Sequence, residues 1–197
     1  IVLEPSYTPT TDHAALTRYF EGFSSVTKGK DVTFVVAPEP QAGAGEAWPE
    51  PTASDWAKSV KQQAEIIHNI NRDKGTNIKV ATLLDLNGDN QAYFDALAEL
   101  PKGTFDIFML QAFANGQKIP IDGPKANLSG YLNKSKVAEV LQQLGNPPTI
   151  INTGIPKSDI AAGAKYPTWD RQVIANSLVE TLTGLRKDGT NITGLNL

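Results

Sequence analysis

The sequence predicts an α/β fold with a parallel sheet of (β/α) barrel type, in which six strands and five helices are readable. Three observations carry this. Short apolar runs alternate strictly with longer segments of helical period. The runs, VTFVVA and FDIFMLQAF among them, are near-continuously hydrophobic, as strands covered on both faces must be. The long connections, Pro38–Ala53, Ala114–Asn127 and Gly154–Pro167, all follow strands, while those leading from helices into strands are short. In parallel α/β folds the loops after strands form the working face, so function is expected there.

Strands are expected at Ile1–Pro5, Asp31–Ala37, Ile78–Asp85, Phe105–Phe113, Thr149–Thr153 and Ile192–Leu197. The first helix, Asp12–Val26, is capped by Asp12 and sets Leu16, Tyr19, Phe20 and Phe23 on one side. The second, Ser54–Asp73, runs Trp56, Val60, Ala64, Ile67 and Ile70–Asn71 along a stripe. The third, Gln91–Leu100, is stopped by Pro101, and the fourth, Leu128–Leu144, ends at Gly145. The fifth, Thr168–Lys187, has Thr168 as cap and Ile174, Leu178, Leu182 and Leu185 as its apolar face.

Such units form either an open doubly wound sheet or part of an eight-unit barrel. Strands at both ends of the sequence favour the barrel, so residues 1–197 are expected to be a single α/β domain supplying strands 3 to 8 of a (β/α)8 barrel. An open domain binding a small ligand at its switch point would carry a Gly-rich turn after the first strand. Ser6-Tyr7-Thr8-Pro9 stands there instead.

The 197 residues, 40% hydrophobic and 20% charged, suffice for one sizeable core and are too few for two ordinary domains. Eighteen Lys and Arg against 21 Asp and Glu, with no basic run, leave nucleic acid an unexpected partner. No apolar stretch approaches the roughly 20 residues of a membrane span. The absence of cysteine excludes disulfides, thiol catalysis and thiolate zinc sites. Glycosylation sequons at Asn127, Asn133 and Asn191 point weakly to an extracellular or cell-wall location.

Neither a cofactor nor a metal is expected. His13 and His68 have no helix-spaced His partner, and Gly43-Ala44-Gly45 lacks the placement and lysine of a phosphate loop. Asp85-Leu86-Asn87-Gly88-Asp89 opens like a calcium loop, but Asn90 and Ala96 replace the glycine and glutamate that such a loop needs at its sixth and twelfth positions. Capping of the third helix by Asp89 or Asn90 accounts for the same cluster.

Two strand ends carry the chemistry. VTFVVAPEP places Glu39 just past its strand, where a parallel barrel keeps catalytic acids, and Pro38 and Pro40 stiffen the backbone around it. PTIINTGIP places Asn152 at the corresponding point; its amide can bond a substrate hydroxyl but cannot be an ionised nucleophile. Gln111, in the strand Phe105–Phe113, and Asn115, just after it, join Asn152 as expected substrate contacts. Trp48, Tyr131, Tyr166 and Trp169 lie in or beside the long loops, where aromatic faces stack on sugar rings. Of these, Trp48 and Trp169 complete the expected substrate-binding set.

Ala37-Pro38-Glu39-Pro40, Phe105-Asp106 and Asn152-Thr153-Gly154-Ile155-Pro156 together resemble the retaining barrel glycosidases, most nearly glycoside hydrolase family 17, the β-1,3-glucanases and glucan transferases. In that family the fourth strand ends in a Gly-Asn-Glu-Val type motif bearing the acid/base. The seventh ends in Glu-Thr-Gly-Trp-Pro, whose glutamate is the nucleophile. The resemblance implies that Glu39 is the acid/base. It also departs from the family: Pro38 replaces the substrate-binding asparagine, Asn152 the nucleophile and Ile155 the aromatic. Retaining hydrolysis needs two carboxyls roughly 5 Å apart, so Asp159 or a residue outside this sequence would have to supply the second.

The expected function is therefore a glycoside-hydrolase-like protein acting on or binding a β-glucan-type polysaccharide or oligosaccharide. The alternative is a catalytically inactive barrel serving as a carbohydrate-binding or structural subunit of an extracellular assembly. Its further partner would be another copy of itself or the remaining part of the barrel.

Overall fold

Six strands pair in the order in which the chain makes them, and every pairing is parallel. They are β1 (Val2–Leu3), β2 (Val32–Val35), β3 (Ile78–Asp85), β4 (Ile107–Phe113), β5 (Thr149–Gly154) and β6 (Ile192–Asn196). Between them lie α1 (His13–Thr27), α2 (Ala53–Lys74), α3 (Gln91–Leu97) and α4 (Lys134–Gln143), with a further helical stretch at 182–187. The computed structural model describes residues 2–3, 12–37, 51–85, 91–113, 134–154, 179 and 182–196.

The strand order decides the architecture. Parallel crossovers are right-handed, so a sheet built in chain order sends every helix to the same face. A doubly wound sheet needs its order to reverse at a switch point, and this one has no reversal. The fold is a singly wound, partial TIM barrel, as the sequence predicts. Among the described residues β1 and β6 each pair with one strand only.

The two faces of the sheet separate cleanly. Phe34, Ile78, Val80, Leu84, Phe108, Leu110 and Ile151 meet Phe20, Trp56, Ile67, Phe94 and Leu141 of the helices in one large core. Residues of the opposite parity, Val35, Ala81, Leu83 and Met109, form a second cluster made of strand side chains alone, the interior of the barrel.

Local chemistry sets the helix limits. Asp12 caps α1 by accepting from the Ala15 N–H at 3.0 Å. Thr52, two residues before the expected opening at Ser54, caps α2 by accepting from the Asp55 N–H at 3.1 Å while donating to Asp55 Oδ2 at 2.8 Å. That bond and the neighbouring Lys58 hold the Asp55 carboxyl below its usual range. Gly75, at φ 64°, ends α2 in the left-handed conformation.

Three expectations change. Tyr19, on the apolar side of α1, is half exposed, although its ring makes T-shaped contacts with Phe20 and Phe34. The third helix ends at Leu97, and Glu99 and Leu100 close it with i→i−3 bonds to Ala96 and Leu97. Asn71 sits on the α2 stripe for its amide, not for burial: it donates to the Ile78 carbonyl at 2.7 Å and accepts from the Ile78 N–H at 3.0 Å. The fourth helix is described from Lys134; residues 128–133 and most of the expected fifth helix lie outside the described residues.

Candidate functional site at the strand ends

Backbone register brings four polar residues into one line. Asp85 pairs with Gln111, Gln111 with Asn152, and Asn152 with Asn196, across β3, β4, β5 and β6. All four positions have the parity of the barrel interior, and all lie toward the C-terminal ends of their strands. The line beneath them, Leu83, Met109, Ile150 and Gly194, carries no charge and no polar side chain. The interior thus changes from apolar to polar at the rim where a parallel barrel builds its sites.

Two of the expected contacts, Gln111 and Asn152, are direct neighbours in this line and are both half-buried. Adjacent strands lie about 4.8 Å apart, so one ligand ring spans both positions. The Oε1 atom of Gln111 is buried and has no hydrogen-bond partner among the described residues. Buried acceptors are normally paired, and such an exception marks a place where something else supplies the donor.

By sequence Asp85 was weighed only as the opening of a calcium-like loop, and Asn196 was not singled out. Their signal was present: each closes an apolar run with a polar residue, as Gln111 and Asn152 interrupt theirs. For Asn196 the sheet adds a device that sequence does not display. Register slips between Thr149 and Ile150, so that Thr149 faces Ile192 but Ile150 faces Gly194. Without the slip Leu195 would stand opposite Asn152; with it, Asn196 does.

Glu39, Trp48, Asn115 and Trp169 lie outside the described residues, as do Asp159, Tyr131 and Tyr166. In the sequence Glu39 follows Ala37 by two residues. Ala37 is itself unusual. It adopts φ 43°, and its carbonyl accepts the indole N–H of Trp56 at 2.8 Å. Strain of this kind in a non-glycine residue persists only where surrounding structure holds it.

Other expected positions resolve as structural. His68 lies 3.7 Å from Asp106, far from the strand ends, and His13 bonds within the first turn of α1. Asp106, of the Phe105-Asp106 pair, accepts the Val80 N–H at 2.8 Å and holds the entry to β3 and β4 together. Asn191 lies exposed at the start of β6, with its side-chain amide 3.5 Å from the Asn146 carbonyl; Asn127 and Asn133 are outside the described residues. Asp85 ends β3, and the rest of the calcium-like loop, 86–90, is outside them as well. Among the described residues no cluster of three or more His, Asp or Glu could hold a metal, and no helix is long and apolar enough to cross a membrane.

Comparison with solved structures agrees with the architecture. A β-glycosidase from Pyrococcus horikoshii matches with a TM-score of 0.52 and 14% identity, over 93% of this chain and 55% of its own. The AHE enzyme from Alicyclobacillus herbarius matches with a TM-score of 0.53 and 13% identity, over 94% of this chain and 58% of its own. The chain shares its partial TIM-barrel fold with both structures. It spans little more than half the length of either structure. No protein-family model and no curated protein matches the sequence.

Proposed function

We propose that the chain is a glycosidase-like protein of the family 17 type that holds a β-glucan-type polysaccharide across the ends of its strands. The observation that carries this reading is the line Asp85, Gln111, Asn152, Asn196 toward the C-terminal ends of the strands, directly above the apolar line Leu83, Met109, Ile150, Gly194. Amides suit this ligand because each offers a donor and an acceptor to hydroxyls that are both. In this reading Glu39 is the proton donor, presented just beyond the constrained Ala37, while Trp48, Asn115 and Trp169 join the binding surface.

The second reading, a barrel that binds glycan without cleaving it, is favoured by Asn152. An amide at that position cannot form the glycosyl ester on which double displacement depends. Reducing-end release from laminarin separates the two. Turnover that Glu39→Gln abolishes supports the enzyme; glucan binding without turnover supports the binder. Hydrolysis gained by Asn152→Glu would tie the motif to the family directly, and a folded, glucan-binding Asn152→Glu variant without activity would break that link.

The six strands correspond in this proposal to strands 3 to 8 of the complete barrel. An apolar groove of about 300 Å³ on the outer side of β6, lined by Val179, Leu182, Ile192 and Leu195, supports it. Each earlier helix packs beside the next one along the sheet, and a helix following β6 would fill this groove in the same way. The rest of the barrel then comes from further polypeptide or from assembly with another chain. The sequons favour an extracellular or wall-associated site for the whole.

A further inference from the structure

We propose that Asn191 is an N-glycosylation site, carrying its glycan at the rim of the sheet opposite the candidate functional site. This rests on the extracellular reading above and adds which acceptor the fold presents. Of the three sequons, Asn191-Ile192-Thr193 is the one within the described residues. The asparagine supplies the amide, and the hydroxyl two residues on is what the transferring enzyme reads.

Both side chains are exposed, and neither is committed to the fold. Asn191 Nδ2 lies 3.5 Å from the Asn146 carbonyl, and Thr193 Oγ1 lies 3.5 Å from the Thr149 carbonyl. Both contacts stand at the far limit of hydrogen bonding. Asn191 is anchored by its backbone instead. Its N–H donates to Asn146 Oδ1 at 3.1 Å, and its carbonyl accepts the Thr149 N–H at 2.8 Å. Asn71 and Asn146 show the contrast, since their amides are tied to backbone carbonyls at 2.7 and 3.0 Å. Thr193 also stands out of the ladder. Thr149 pairs with Ile192 and Ile150 with Gly194, so the slip leaves Thr193 unmatched.

The chemistry asks little of the fold. Nδ2 attacks the anomeric carbon of a lipid-diphosphate-linked oligosaccharide, the C–O bond to the diphosphate breaks, and one amide proton leaves to a base of the enzyme. The N–H that remains keeps the contact with the Asn146 carbonyl. Parallel strands all start at one rim and end at the other. Asn191 precedes β6 and Asn196 ends it, so about 16 Å of strand separates the glycan from the C-terminal strand ends. A glycan there leaves the candidate site open.

The test is secretion of this chain from a eukaryotic host, followed by peptide N-glycosidase digestion in heavy-oxygen water and peptide mass mapping. Most copies are expected to show a heavy aspartate at position 191. Asn191→Gln and Thr193→Ala should each lose that one glycan, whereas Thr193→Ser should keep it. The Tm of the glycosylated chain should be no lower than after enzymatic removal of the glycan. A secreted wild type bare at Asn191, a Thr193→Ala variant that retains the glycan, or a Tm lowered by the glycan would overturn the site. Mapping the protein from its natural source separates this from the reading beneath it. Asn191 bare beside an occupied Asn127 or Asn133 overturns the site alone. All three bare, with Asn191 occupied in the secreted chain, overturns the extracellular reading.

Discussion

The indole N–H of Trp56 donates to the carbonyl of Ala37 at 2.8 Å, joining the first turn of α2 to the residue two positions past the end of β2 and two before Glu39. Trp56 is wholly buried, and its ring also meets Tyr93 edge-on at 5.5 Å. The hydroxyl of Tyr93 in turn donates to the Pro51 carbonyl at 2.8 Å, at the far end of the long connection after β2. The two aromatics therefore hold Ala37 and Pro51, the described residues on either side of 38–50.

The consequence for stability separates hydrogen bonding from backbone strain. Trp56→Phe leaves the Ala37 carbonyl without its donor and opens a cavity, and should cost about 2–4 kcal/mol. Ala37→Gly keeps the bond and removes the Cβ penalty at φ 43°, so it should be neutral or stabilise by up to about 1 kcal/mol. Urea midpoints at constant m-value read both. If Trp56→Phe costs less than Ala37→Gly gains, the clamp is not what holds this strand end.

Asn71 behaves as a strand partner built into a helix. Its amide exchanges both bonds with the backbone of Ile78, and its Oδ1 also accepts from the Thr76 hydroxyl at 2.8 Å. Asn71→Leu, although it suits the apolar stripe on which the residue sits, should destabilise by about 2–3 kcal/mol because two backbone groups at the start of β3 lose their partners. Thermal unfolding tests this; a Tm at or above wild type would mean that those groups find water without cost.

Asn146 plays the corresponding part between the last two units. It stands at φ 53°, donates from Nδ2 to the Gly189 carbonyl at 3.0 Å and accepts the Asn191 N–H at 3.1 Å. Asn146→Gly loses the two side-chain bonds but relaxes the left-handed backbone; Asn146→Ala loses the bonds and keeps the strain. Both should destabilise, alanine by about 1 kcal/mol more than glycine. Equal losses in denaturant melts would remove the conformational part of the argument.

What the sequence made legible follows from local physics. The 3.6 and 2 residue periods, the caps and the glycine stops placed the elements of the described residues within a few residues, because each is decided by neighbours in the chain. The identity of Glu39's surroundings was legible only as position. The line from Asp85 to Asn196 was not legible, since register between strands separated by a whole helix and its loops is a non-local property and one slip at Thr149 changes its last member. Asn71 and Trp56 were read as stripe residues because periodicity reports which face a side chain occupies, not whether its polar end reaches a backbone group.

Asp106 links the structure to pH. Burial raises its carboxyl, but His68 at 3.7 Å, the Val80 N–H at 2.8 Å and the charge of Lys79 outweigh that and hold it below the ordinary value of 3.8. A depressed carboxyl stabilises the fold fully above its unfolded-state value and loses that contribution as the pH falls through the folded one. Its side chain is nearly half exposed, so solvent screening keeps the charged part under about 1 kcal/mol. Asp106→Asn retains an acceptor for Val80 and should flatten the acid limb of the stability curve below pH 4 while costing little at pH 7. Asp106→Ala removes the acceptor as well and should lower stability at both, by about 1–3 kcal/mol. Urea melts from pH 3 to 7 on the three proteins test the sign. An acid limb in Asp106→Asn as steep as in wild type would assign it to other carboxyls and leave Asp106 a purely backbone-bonding role.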